Sequence, residues 1–219
     1  MLKPILAMTT AAALMPAVAS ADPLFYNGFY AGVQGQLTYK NSQDFTFAPG
    51  ADIKTDLDTG YGAGLVLGYG FGDFGAGGAR GELELAYTKA DVESHALNGA
   101  KQDGSRGTVT TTAAFLNGYY DFRIANPRVS PYLGAGIGYG EVKFDDYGIP
   151  GVQALNDSTR TWGYQLMGGV SYALNDRSAL YGDIRFKSFP GTSVTSEGGV
   201  NNDIDVNSTS LNIGVRFGF

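Results

Sequence analysis

Residues 29–39 set Phe29, Ala31, Val33, Gly35, Leu37 and Tyr39 in one row and Tyr30, Gly32, Gln34, Gln36 and Thr38 in the other. Period two with one apolar row predicts a β-strand. The pattern recurs through 61–71, 79–88, 110–124, 131–140, 162–172, 180–187 and 210–219, so eight strands are expected. In the eighth, Leu211, Ile213, Val215, Phe217 and Phe219 alternate with Ser210, Asn212, Gly214, Arg216 and Gly218. The connections alternate in length. Residues 40–60, 89–109, 141–159 and 188–207 read as long polar loops, and 72–78, 125–130 and 173–178 as short turns.

The first 21 residues differ in kind: Lys3 precedes an apolar stretch from Ile5 to Val18, which closes on Ala19, Ser20 and Ala21. This is the layout of a cleaved secretory signal, with Ala19 and Ala21 as the small residues of the cleavage site. Residues 22–219 are then the mature domain, and loss of Lys3 takes the formal charge from -6 to -7. Later segments supply no run of 18 apolar residues, so a membrane protein built on this chain must cross as a closed barrel.

An even strand count, with short turns at one rim and long connections at the other, predicts an all-β, eight-stranded antiparallel up-and-down transmembrane barrel. Aromatic residues fall in two bands once strand direction is included: Tyr39, Tyr61, Tyr87, Tyr139, Trp162 and Phe186 near the long connections, and Phe29, Phe71, Phe122, Tyr172 and Phe219 near the short turns. Two interfacial girdles flanking an outward apolar band account for them. A soluble barrel with the apolar row turned inward around a ligand explains neither the girdles nor the loop asymmetry. Composition narrows the classes further. Zero Cys excludes disulfide frameworks and thiolate chemistry, and the acidic balance offers no cationic face for nucleic acid.

Three stretches resemble the eight-stranded outer-membrane barrel superfamily, which includes the outer membrane protein A type transmembrane domain, the opacity and surface-antigen proteins and their porin-family relatives. They are Gly28-Phe29-Tyr30-Ala31-Gly32, the run Ser130-Pro131-Tyr132-Leu133-Gly134-Ala135-Gly136-Ile137-Gly138-Tyr139-Gly140, and Gly214-Val215-Arg216-Phe217-Gly218-Phe219. The resemblance implies a Gram-negative outer-membrane location, with periplasmic termini and extracellular long loops. It also implies insertion by the barrel assembly machinery, which in this family recognises a terminal aromatic strand; Phe217 and Phe219 occupy that place. Outer-membrane lipid, lipopolysaccharide and a host or cell-surface ligand are the implied partners.

The inward rows carry Arg80, Arg123, Arg185, Lys187 and Arg216 against Glu82, Glu84, Asp121 and Asp183, a formal sum of +1. An eight-stranded lumen is only wide enough for its own side chains, so these nine are expected to form a hydrogen-bonded ion-pair ladder. The glycine rows of the second and fifth strands should make room for large neighbours. A structural or surface-antigen role is the leading functional expectation, a narrow channel the second and a lipid A-modifying enzyme a distant third. For the enzyme the sole candidate is Glu93-Ser94-His95, a poor match because its members are adjacent in a loop. Loop acids Asp52, Asp56, Asp58, Asp145, Asp146, Asp203 and Asp205 could meet a hard cation, but none fits an EF-hand spacing. No catalytic residue, cofactor or metal site is expected.

Overall fold

The computed structural model describes residues 27–39, 41–48, 51–57, 59–97, 100–102, 106–149, 152–195 and 201–219, with side chains for 27–39, 59–91, 107–145, 157–193 and 205–219. The expected leader, with Ala19 and Ala21, lies outside the described residues.

Eleven strands follow in order: β1 (Asn27–Tyr39), β2 (Asn41–Ala48), β3 (Ala51–Leu57), β4 (Gly60–Phe74), β5 (Gly77–Leu97), β6 (Ala100–Gln102), β7 (Arg106–Phe122), β8 (Val129–Ile149), β9 (Val152–Asn175), β10 (Ser178–Thr195) and β11 (Asn201–Gly218). Eight of them, β1, β4, β5, β7, β8, β9, β10 and β11, make a ring of antiparallel neighbours. First and last staves close it, in register from Tyr30 opposite Gly218 to Tyr39 opposite Thr209. Closure leaves no free sheet edge at the level of the ring, the condition for spanning lipid with strands. Beyond the ring, β2 and β3 pair as a hairpin and β3 adds to the distal part of β5. Two of the tight turns are Gly75-Ala76 and Asp176-Arg177. Gly75 has φ +63°, the left-handed region that favours glycine.

The apolar row faces outward. Leu116, Ile137 and Ile213 are 63, 62 and 58% exposed, while Asn117, Arg185 and Asn212 on the opposite rows are buried. Ring pairs run along both girdles, Tyr139 against Trp162 at 5.4 Å in one and Tyr120 against Phe122 at 5.0 Å in the other. The expected glycine rows do create room. A Cβ at Gly68 would enter the Tyr30 ring, one at Gly134 the Tyr119 ring, and one at Gly136 the Asn117 amide.

The long connections correct the sequence reading. Residues expected as polar loops at 89–109, 141–159 and 188–207 are strand through most of their length; β8 and β9, for example, stay paired as far as Ile149 opposite Val152. The reason is a change of phase. In β8 the outward row runs Leu133, Ala135, Ile137, Tyr139 and then Glu141, Lys143, Asp145, whereas the inward row passes from glycine to Val142 and Phe144. Period two persists past the girdle while the polarity of the two faces is exchanged. Such a wall is suited to lipid below the girdle and to water above it.

Candidate functional site

The barrel interior is layered. Nearest the short-turn rim lies an aromatic and cationic layer. Arg80 donates from Nε to Asp121 at 2.9 Å and also pairs with Glu82. Its guanidinium carbon lies 3.8 Å from the Tyr119 ring centroid and 4.8 Å from that of Tyr132. Tyr30 donates its hydroxyl to Glu82 at 2.7 Å. Arg216 lies over Tyr30 and Tyr181, at 5.8 and 5.5 Å, and donates to Ser171.

The middle layer centres on Glu84, 1% exposed. Its two oxygens accept Arg185 Nη1 at 2.6 and 2.8 Å, with Gln34 at 2.8 Å, Asn117 at 2.8 Å and Gln165 at 2.9 Å. Arg185 also reaches Asp183 at 3.2 Å, and Asp183 accepts Tyr132 at 2.9 Å and Asn212 at 3.1 Å. Lys187, also buried, has its ammonium 5.1 Å from the Phe115 ring.

Above this layer the lumen holds an apolar cluster, with Thr38 and Thr192 also buried. Ala90, Val109, Ala113, Phe115, Val142, Phe144, Phe189 and Val206 form one buried cluster. Six of the eight come from segments expected to be loops, which is why the sequence reading missed the cluster. Phe189 sits against Gly163, where a Cβ would come within 2.6 Å of its ring.

Of the nine lumen residues expected, eight lie inside. Arg123 does not, which corrects the reading. It follows the last residue of β7 and pairs with Asp73 outside the barrel, both side chains being more than half exposed. Parity assigns a face only while the wall continues, and Arg123 stands past its end. Without it the described lumen holds Arg80, Arg185, Lys187 and Arg216 against Glu82, Glu84, Asp121 and Asp183, and the sum is zero instead of +1. Tyr30, Gln34, Asn117, Gln165 and Asn212 complete the network without being singled out by charge, although each shares its row with a charged position or faces one.

Phe217 and Phe219 both point outward, 54 and 78% exposed, and the Phe219 amide donates to the Phe29 carbonyl at 3.1 Å. The backbone of Ser94 and His95 lies in β5, paired with Asp56 and Thr55, so the segment is a strand and not the expected loop. The side chains of Glu93, Ser94 and His95 lie outside the described residues, as do those of Asp52, Asp56, Asp58, Asp146 and Asp203. Asp145 pairs with Lys143 at 2.7 Å, a hydrogen bond that raises the pKa of this solvent-facing ammonium, and Asp205 accepts the Gly191 amide at 3.0 Å. Among the described residues no three His, Asp or Glu converge to hold a metal.

Chemically, the lumen is a neutral, densely hydrogen-bonded staple beneath an apolar stopper, with each of the four acids in contact with at least one cation. Comparison with known proteins agrees with the architecture. The family model for the outer membrane protein beta-barrel domain matches residues 5–219. An uncharacterized protein of Brucella abortus is 32% identical over 183 residues, 71% of this chain and 57% of that one. The outer membrane protein PagN of Salmonella typhimurium is 28% identical over 127 residues, 53% of this chain and 52% of its own. The chain thus spans little more than half the length of these curated relatives. Among solved structures, the outer membrane protein OprG from Pseudomonas aeruginosa superposes with a TM-score of 0.62 at 16% identity, covering 91% of this chain and 99% of that one.

Proposed function

The chain belongs to the outer membrane protein beta-barrel domain family, and on that premise we propose that it is a non-enzymatic structural and surface protein of the Gram-negative outer membrane. Its termini face the periplasm and its long acidic connections stand outside the cell, where they serve envelope integrity or contact with a host or cell-surface ligand. The barrel assembly machinery inserts it, recognising β11 by the outward aromatic residues Phe217 and Phe219.

One observation carries the choice of a structural role over a channel: the apolar cluster around Phe115, Phe144 and Phe189 caps a lumen already filled by a neutral ion network. An ion following the barrel axis would have to shed its hydration beside apolar side chains that offer it no ligands. Reconstituted into planar bilayers, the protein should give no discrete conductance steps, and regular steps would overturn the reading. The absence of Cys allows orientation to be checked with single reporters. Ser158→Cys should react with a membrane-impermeant maleimide on intact cells and Asn126→Cys should not; the reverse pattern would invert the assignment.

A further inference from the structure

Among the described lumen cations, Lys187 alone makes no ion pair. Arg80 meets Asp121 and Glu82, Arg185 meets Glu84 and Asp183, and Arg216 lies 4.0 Å from Glu82. Lys187 is 4% exposed, and its ammonium has no acceptor among the described residues, only the Phe115 ring centre at 5.1 Å. Glu84 and Asp183 do not answer it, because Arg185 and the amide and hydroxyl donors of the middle layer already occupy them. An ammonium withheld from water and given no acceptor is costly, so this point of the lumen is short of one anion.

Phe189 follows two residues later in the same inward row of β10. Its ring rests on Gly163, where a Cβ would come within 2.6 Å of it, and lies 5.9 Å from the Phe115 ring at 57°. The Lys187 ammonium and the Phe189 ring therefore share Phe115 as a common wall. Phe189 is also the first β10 residue beyond the ladder with β9, which ends at Ser188 opposite Tyr164. On the other side of the hairpin, β11 pairs with β1 only as far as Thr209 opposite Tyr39. Above those rungs the hairpin of β10 and β11 is laddered to neither ring neighbour among the described residues, and its register breaks at its base, where Gly191 stands at φ +60°. Phe189 can thus swing out with the hairpin without breaking a barrel hydrogen bond. The slot it leaves has the size of one phenyl ring and a lone ammonium at its side.

We propose that the Phe189 slot inside the lumen is a binding site for a small aromatic monocarboxylate. The ring of the ligand takes the place of the Phe189 side chain between Gly163 and Phe115, and its carboxylate accepts a hydrogen bond from the Lys187 ammonium. Charge complementarity selects an acid over a neutral ring compound. The dimensions of the slot select a single ring, because a close-packed interior holds only what matches the volume vacated. A halide would answer the ammonium and leave the slot empty. The bound acid keeps the lumen shut, so the protein gives no conductance steps with or without it, and the site can fail without the structural reading failing.

Fluorine NMR of para-fluorophenylacetate, titrated with the full chain in detergent micelles and referenced to empty micelles, tests it. Wild type should bind the acid saturably and at least tenfold tighter than its neutral counterpart, para-fluorophenylethanol. Lys187→Met should bring the acid down to the level of the alcohol. Phe189→Ala should tighten acid binding at least threefold, since the slot then stands open, as an apolar cavity left by truncation binds a ring compound. Lys143→Met, on the outer face, should leave the preference intact. Equal binding of acid and alcohol by wild type, an unchanged preference in Lys187→Met, or weaker acid binding in Phe189→Ala would overturn the site. So would displacement of the acid by excess chloride, which would reduce the site to one for simple anions. Each variant is first checked for the fast-migrating folded form on unboiled gels, and the wild-type ratio of acid to alcohol decides even if a variant fails to fold.

Discussion

Glu84 shows what single positions contribute. Its carboxylate answers Arg185, Gln34, Asn117 and Gln165 at once in a site closed to solvent. Glu84→Ala leaves the Arg185 charge with Asp183 alone, and loss of one member of a buried pair costs about 3–5 kcal/mol. The heat-modified gel transition should fall accordingly, and the Glu84→Ala, Arg185→Ala double variant should lose less than the two single losses added together. A gentler pair tests the glycine rows: Gly68→Ala forces a methyl into the Tyr30 ring, whereas Gly35→Ala meets nothing within 4 Å. The first should destabilise by about 1–3 kcal/mol, as overpacking does, and the second should be near neutral in the same assay. At this scale much was legible beforehand, since parity alone placed Arg80, Glu82, Glu84, Asp121, Asp183, Arg185, Lys187 and Arg216 inside. Which acid meets which cation was not, because partners such as Glu84 and Arg185 are 101 residues apart and strand register comes from closure, not from local sequence.

At the scale of the element, the informative strands are those that outrun the lipid. Their period was present in the sequence, for Glu141-Val142-Lys143-Phe144-Asp145 alternates as strictly as any membrane segment. Alone it resembles a solvated connection, because polar outward residues between few apolar ones carry no sign of a neighbouring strand. The inward placement of Phe144, 1% exposed, gives a direct check. Phe144→Asp buries a carboxylate in the apolar cluster and should lower stability by several kcal/mol, while Lys143→Asp on the outer face should change it by no more than about 0.5 kcal/mol. Equal, small effects from both would mean that this segment is a loop after all. In β10 the ladder with β9 ends at Ser188 opposite Tyr164, and the register with β11 shifts between Phe189 and Thr192. Pro190, which has no amide hydrogen to donate, and Gly191 at φ +60° lie within that shift. There the wall parts above the girdle, a feature that strand periodicity could not have located.

For the molecule as a whole, the exchange of polarity along the staves fixes the depth at which the barrel sits. Ile213 and Asn207 occupy the same face of β11, six residues or about 20 Å apart. Ile213→Arg should oppose insertion by about 2–4 kcal/mol and Asn207→Arg by about 0–1 kcal/mol, as read from folding yields into liposomes. Similar yields for both would remove the case for a lipid boundary between them.

The neutrality of the lumen bears on how such a molecule comes into being. Arg80 meets Glu82 and Asp121 within one pair of neighbouring strands, but Glu84 waits for Arg185 from 101 residues away and Tyr181 reaches Gln34 across 147, so no single hairpin completes its own network. A sheet of four or five staves would hold bare guanidinium and carboxylate groups against hydrocarbon. Entry into the bilayer and the final zipping of β1 to β11 are therefore bound into one late event, and an intermediate caught before it should still have a wet interior.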